Sequence, residues 1–377
     1  MKILMVIDDY FNTTNGMAIS TQRFTRQLRQ LGHEVRILST SSNDNKVDYP
    51  VPRIKPVLFS KLISQQGYIF GKPIDSTIQR AVQWADIVHL DTPFFLGARA
   101  GSIAKEYRKT VTGTFHLYPE NMTASVPVFD RPLINDQLMR LFRDWSFKTC
   151  TAIQCPTLKV KERLIKYNFP QKLTVISNGI STPFLKNYHI SNANHPFTIL
   201  CIGRYSNEKD QETLFKAMKQ VHNSKDMHLI LAGKGPLEGK YAQLAQEISS
   251  KVIMKYYPPH ELQQLTRNAD LIVHCANVEV EGMSCMEAFA SGCVPIIADS
   301  PLSSTVSYAL TEYNKFPAGD EISLAKRIDY WYTHPQQLED NRQKYVNYAK
   351  TLTVKKSAEK VALMMQDALN QNKEYKL

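Results

Sequence analysis

Three carboxylates crowd one short stretch of this chain. Glu279, Glu281 and Glu287 fall within nine positions of VEVEGMSCMEAFASG, residues 278–292. Acids grouped this closely can work as an acid/base pair, receive ligand hydroxyls, or satisfy free N–H groups at a helix start. Ser284-x-x-Glu287 has capping-box spacing, which gives Glu287 a structural role at a helix start. Glu279 and Glu281 precede that helix, where its dipole stabilises an anion by about 0.3–1 kcal/mol. A second cluster, GRYSNEKD at 203–210, puts Arg204 and Lys209 on one loop. Two cations there can clamp a diphosphate, whose negative charge grows as it departs. A solvated loop is the plainer reading.

Three more segments hold two readings each. In AGKGP (232–236), Gly233 and Gly235 either let backbone approach a ligand or make a tight turn. In DDYFNTTNGMAIS (8–20), Asn15-Gly16 permits a turn with φ > 0, followed by a helix from near Ala18. Its N–H groups can face a phosphate or sugar, or the segment is a simple strand-to-helix loop. It is not G-x-G-x-x-G, so a dinucleotide site is not indicated. In GTFHLYPE (113–120), His116 sits beside Tyr118 and Glu120, either as a structural histidine or in a site.

Each cluster follows an apolar run rich in Val, Ile and Leu. Residues 2–7, 34–39, 86–90, 111–115, 152–156 and 173–177 read as one set of buried strands. After the polar break LKNYHISNANH (185–195), residues 197–203, 227–233, 251–256, 270–275 and 294–299 form a second set. Near-continuous apolar strands separated by amphipathic helices indicate parallel sheets covered on both faces. The expected fold is α/β, with two Rossmann-like doubly wound domains facing a central cleft. Their expected bounds are 1–184 and 185–354, and a final helical segment, 355–377, is expected to pack back on the first domain. In such sheets ligands sit at the carboxyl ends of strands, where every cluster above falls.

The bulk numbers agree. A chain of 377 residues is too long for one ordinary core, and 43% hydrophobic with 21% charged residues is a globular composition. No run approaches the ~18 apolar residues that span a bilayer. The start, MKILMVIDDY, meets an acidic pair too early for a signal peptide and reads as a first strand. The six cysteines form no C-x-x-C pair, and buried free thiols in a reducing cytoplasm are expected. Net charge is +11, and residues 1–180 hold 24 Lys+Arg against 14 Asp+Glu, so the basic excess belongs to the N-terminal half. That asymmetry favours an anionic partner: nucleic acid, an acidic glycan, or a membrane's cytoplasmic face. No nucleic-acid-binding motif accompanies it.

Glu279-x7-Glu287 resembles the acidic pair of retaining GT-B glycosyltransferases of family 4. Gly203-Arg204…Lys209, the turn Gly233–Pro236, Asn15-Gly16 and His116 are similar to that family's other motifs. They keep the family's order and cover nearly the whole chain. GRYSNEK, FHLYPEN, VISNGI, VHCANVEVEG and ADSPLSSTVSYAL look like the bacterial subgroup that glucosylates sterols or diacylglycerol in membranes. One position departs: the family has an aromatic residue between Glu279 and Gly282, where this chain has Glu281.

The resemblance implies a UDP-sugar donor and a retaining hexosyl transfer. Arg204 and Lys209 would hold the diphosphate, Glu279 the hexose hydroxyls and Glu287 the ribose. The amides of Gly282, Met283 and Ser284 would add fixed donors. Gly203, Gly233 and Gly235 would line the donor site, Gly16 would approach the phosphate, and His116 would reach the sugar. No D-x-D pair is present to carry a metal. No cofactor or metal ion is therefore expected, and cations with helix-terminus dipoles would neutralise the leaving group. A capsular or other surface glycan is the alternative acceptor, and an inert nucleotide-sugar-binding scaffold the alternative class.

For a lipid acceptor the basic half has a use. Residues 51–70 and 138–148 interleave Arg and Lys with aromatic and aliphatic side chains. Such stretches suit an interfacial helix on anionic lipid, or else pack into the domain's own core. The expected location is the inner face of the cell membrane, peripherally bound. Oligomeric state is not set by the sequence.

Overall fold

The computed structural model describes residues 1–12, 15–41, 46–54, 69–124, 129–186 and 196–374. It divides into two compact units, Met1–Asn178 with Val354–Leu377, and Gly179–Thr353.

The first unit begins with β1 (Lys2–Val6), β2 (Glu34–Thr40) and β3 (Tyr49–Val51). A short antiparallel pair, β4 (Arg53–Ile54) and β5 (Phe70–Gly71), follows. Then come β6 (Ile87–Leu90), β7 (Thr110–Thr114), β8 (Ala152–Cys155) and β9 (Lys172–Val175). Among the described residues the main sheet is parallel, in the order β3-β2-β1-β6-β7-β8-β9. Every residue of β6, β7 and β8 is buried, because helices cover both faces of a parallel sheet. One covering helix is Val354–Glu374, which lays Ala358, Val361, Met364, Met365 and Ala368 against Ile3, Met5, Phe24 and Ile37.

The second unit contains β10 (Phe197–Ile202), β11 (Met227–Ala232), β12 (Lys251–Lys255), β13 (Leu271–His274) and β14 (Val278–Glu279). They are followed by β15 (Val294–Asp299), β16 (Leu302–Ser303) and β17 (Lys315–Pro317). Its parallel sheet runs β12-β11-β10-β13-β15-β17, and β14 pairs with β16 beside it. Strand order reverses between β1 and β6 in one unit and between β10 and β13 in the other. Loops diverge at such switch points and leave room for a ligand at the carboxyl ends.

The boundary expected at 184/185 lies too late in the chain. Ile180 N–H donates to Leu352 O at 2.7 Å, and Phe184 joins the core of Phe289 and Tyr345. Residues 179–186 therefore belong to the second unit. Most of the basic stretch 51–70, namely 55–68, lies outside the described residues.

Candidate functional site

In the second unit, adjacency of β10 and β13 brings the loops that follow them together. Lys209 from the first loop forms an ion pair with the Glu279 carboxylate from the second. The side chains are 23% and 16% exposed. Burial pulls the Lys209 ammonium down, but the charge of Glu279 more than offsets this and holds it above the ordinary lysine range. Beneath them His274, the last residue of β13, places Nε2 3.7 Å from the Glu279 carboxylate and 3.3 Å from Thr305 Oγ1. Burial and then the Lys209 charge push His274 down to about 3, so its ring is neutral near pH 7. Arg204 is half-buried at the head of the same loop, its carbonyl accepting from Gln211 Nε2 at 2.8 Å.

The glycines here accommodate the protein's own backbone. A Cβ on Gly233 would stand 1.9 Å from Gly203 O, and one on Gly235 would stand 2.5 Å from Tyr205 O. The two loops are joined by Gly203 N–H to Ala232 O (3.1 Å) and Tyr205 N–H to Lys234 O (3.2 Å). Gly282 is equally confined, with Thr305 side-chain atoms 2.6 Å from a Cβ placed there.

The expected capping box is absent. The helix runs Met283–Ala290 with Gly282 as its N-cap, so Ser284 lies inside the first turn and Glu287 one turn further in. Gly282, packed against the Thr305 side chain, caps the helix two residues before the position the Ser-x-x-Glu spacing suggests. The Met283 amide, expected as a ligand donor, donates to Glu281 O at 2.8 Å. Ser284 is half-buried and Glu287 buried. Glu281 is also buried, and Tyr308 donates its hydroxyl to the Glu281 carboxylate at 2.5 Å. The three acids thus separate: Glu279 faces a cation, Glu281 a phenol, and Glu287 lies within the helix.

The first unit gathers its own polar residues at the carboxyl ends of β1, β6 and β7. His116, two residues past β7, lies with Nε2 3.4 Å from Asp91 Oδ1, and the two side chains are 3% and 1% exposed. His89 Nε2 lies 3.8 Å from the same oxygen. Asp8 accepts from Thr92 Oγ1 at 2.5 Å and from Gly71 N–H at 2.8 Å. Burial raises the Asp8 carboxyl to about 6 despite those two bonds. Asp8, Asn15, Met17, Thr92 and Phe94 line a small cavity. The helix beyond starts at Gly16, not near Ala18, because the Asn15 side chain caps it by accepting from Met17 N–H at 2.9 Å. Gly16 is therefore helical, with no positive φ, and among the described residues no atom beyond its chain neighbours and its own helix backbone lies within 4 Å of a Cβ placed there.

Two family models divide the chain between them. Residues 14–183 match Glycosyltransferase Family 4, and residues 188–352 match Glycosyl transferases group 1. The chain is a family 4 glycosyltransferase. An alpha-monoglucosyldiacylglycerol synthase of Streptococcus pneumoniae is 27% identical, over 79% of this glycosyltransferase and 71% of its own length. A second enzyme of that description, from Acholeplasma laidlawii, is 24% identical over 79% and 80%. The solved sucrose-phosphate synthase of Thermosynechococcus elongatus matches 98% of this chain and 99% of its own at a TM-score of 0.74 with 15% identity. The fold is GT-B.

Residues 138–148 of the glycosyltransferase divide between the two expected readings. Met139, Phe142 and Phe147 enter the core of the first unit, while Leu141 and Trp145 are 47% and 39% exposed. Leu133 and Phe95 are exposed as well, and the Phe95 and Trp145 rings meet edge-on at 5.2 Å. Arg131, Arg140 and Lys148 are exposed along the same segment. Among the described residues no helix is long and apolar enough to cross a membrane, and no group of three His, Cys, Asp or Glu is placed to hold a metal ion. All six cysteines are buried and free.

Asp8, Asp91 and His274 were not singled out from the sequence. Each ends or closely follows an apolar strand, and that position at a switch-point strand is the signal that would have found them.

Proposed function

We propose that this glycosyltransferase moves a hexosyl group, α-glucosyl by preference, from a UDP-sugar to a hydroxyl of a membrane lipid, with retention and without a metal ion. The observation that carries the reading is the meeting of Lys209 and Glu279 at the switch point of the second sheet. A fixed cation suits the donor's diphosphate, and an acceptor-only carboxylate beside it suits the hexose hydroxyls. In the proposed reaction the bond from the anomeric carbon to the diphosphate oxygen breaks, while Lys209 and Arg204 neutralise the leaving group. The acceptor oxygen bonds to that carbon on the same face and passes its proton to the departing phosphate oxygen. No side chain is then required as base, which fits a neutral His274 and a Glu279 committed to hydrogen bonding.

The two diacylglycerol-glucosylating relatives support a lipid acceptor, with diacylglycerol ahead of sterol. Charge supports the surface: the first unit carries 29 Lys+Arg against 17 Asp+Glu, so the whole basic excess lies on the unit that exposes Leu133, Leu141, Trp145 and Phe95. Such a face suits peripheral binding to anionic lipid on the cytoplasmic side. The test is mass spectrometry of lipid products after incubation with several UDP-sugars and a mixture of diacylglycerol and sterol. A glucosylated diacylglycerol is expected. Label found only in a soluble glycan, or in no product, overturns the reading.

A further inference from the structure

Asn277 stands two residues before Glu279 and fastens three loops together. Its backbone N–H donates to Glu208 O at 2.8 Å. Its side-chain Nδ2 donates to Asp210 Oδ2 at 3.3 Å. Its own carbonyl accepts from Ser300 Oγ at 2.6 Å. Glu208 and Asp210 are the two neighbours of Lys209, so both ends of the lysine's short segment are tied to the strand that delivers Glu279. These bonds involve the side chain of neither Lys209 nor Glu279.

Each side has a further anchor. Asp210 holds a left-handed conformation (φ 46°, ψ 43°) and accepts from Thr213 Oγ1 at 2.8 Å. Aspartate is among the few residues that tolerate that conformation. On the other side, Glu279 is paired with Ser303 in the β14–β16 register, and Ser304 N–H donates to Glu279 O at 2.8 Å. Asn277 is the link between these two anchored pieces.

We infer that Asn277 is a positioning residue that sets the gap between Lys209 and Glu279, and through it the affinity for a nucleoside diphosphate. The inference rests on the donor-site reading of that pair. Asn277→Asp keeps the shape of the side chain, removes the donor and places a second carboxylate against Asp210. The loss of a hydrogen bond to a carboxylate, with repulsion in its place, weakens UDP binding roughly tenfold. Asn277→Asp combined with Asp210→Asn exchanges donor and acceptor across the same contact and conserves net charge, so it restores most of the affinity.

The experiment is calorimetric titration of UDP into the full chain and these variants, with donor KM and kcat measured alongside. Lys209→Ala is the control. The expected result is weakened UDP binding and raised donor KM in Asn277→Asp, recovery in the exchanged double variant, and weakened binding in Lys209→Ala. If Lys209→Ala binds UDP as the native protein does, the donor-site reading fails. If Lys209→Ala is weakened while Asn277→Asp is not, or if the exchange restores nothing in a folded protein, the positioning role is overturned. Should Asn277→Asp fail to fold, the double variant still decides: native affinity upholds the role, and weak affinity in a folded protein removes it.

Discussion

Glu279→Gln is expected to bind UDP more tightly while transferring sugar more slowly. In the structure Lys209 is already paired with Glu279, so the donor's diphosphate must compete with a carboxylate for one ammonium. Two unit charges about 4 Å apart attract by about 4 kcal/mol at an effective dielectric of 20. Both side chains keep some solvent contact, which screens the pair to about 1–2 kcal/mol. Glutamine preserves the size of the side chain and removes the charge, so the competition is relieved and UDP affinity rises about five- to thirtyfold. The hexose loses a charged acceptor for its hydroxyls at the same time, so kcat with intact UDP-sugar falls. Calorimetry with UDP and initial rates with UDP-glucose measure the two effects separately. Raising the salt concentration should narrow the difference in UDP affinity, because a screened carboxylate competes less. If UDP binds the variant no better than the native enzyme, Glu279 does not compete for Lys209. Weaker binding would mean that Glu279 instead orients the lysine toward the phosphates.

Gly16→Ala has open space around it and should leave stability within about 1 kcal/mol of native in urea unfolding. Gly233→Ala pushes a Cβ into the Gly203 carbonyl and should destabilise by at least about 1–3 kcal/mol in urea unfolding, and an unchanged midpoint would refute the loop packing described. Asp8 has its carboxyl raised to about 6, so between its unfolded value near 3.8 and that point the native state holds more protons than the unfolded one. Stability therefore falls as pH rises through this window, by up to about 1.4 kcal/mol per pH unit, and Asp8→Asn should remove that share from a pH series of denaturation curves. Trp145→Asp with Leu141→Asp changes only exposed positions and should abolish co-sedimentation with anionic liposomes at low salt while melting stays native.

Much of the fold was legible because buried parallel strands need uninterrupted apolar runs, and each such run in the sequence became a strand. The short pair β14–β16 left no trace, since two residues carry no periodicity, although it fixes the backbone of Glu279. Ser284-x-x-Glu287 misled because capping-box spacing occurs by chance inside helices; the true cap, Gly282, is selected by the Thr305 side chain packed against it. Gly233 and Gly235 were readable as special positions but not as to partner, because the partner is backbone from a loop thirty residues earlier. The family resemblance put Lys209 and Glu279 at one donor site without pairing them, whereas His274 beneath them looked like one more residue of an apolar strand.

The return of Val354–Glu374 to the first unit bears on the order in which the enzyme is made. Residues 1–178 leave the ribosome without the helix that covers Ile3, Met5, Phe24 and Ile37, and that helix is made only after the whole second unit. The second unit is contiguous, and its entry and exit are stitched where Ile180 pairs with Thr353. It can close its core while the first sheet still exposes an uncovered apolar face. Nascent chains stalled before residue 354 therefore carry one finished unit and one sticky one, a species suited to chaperone capture.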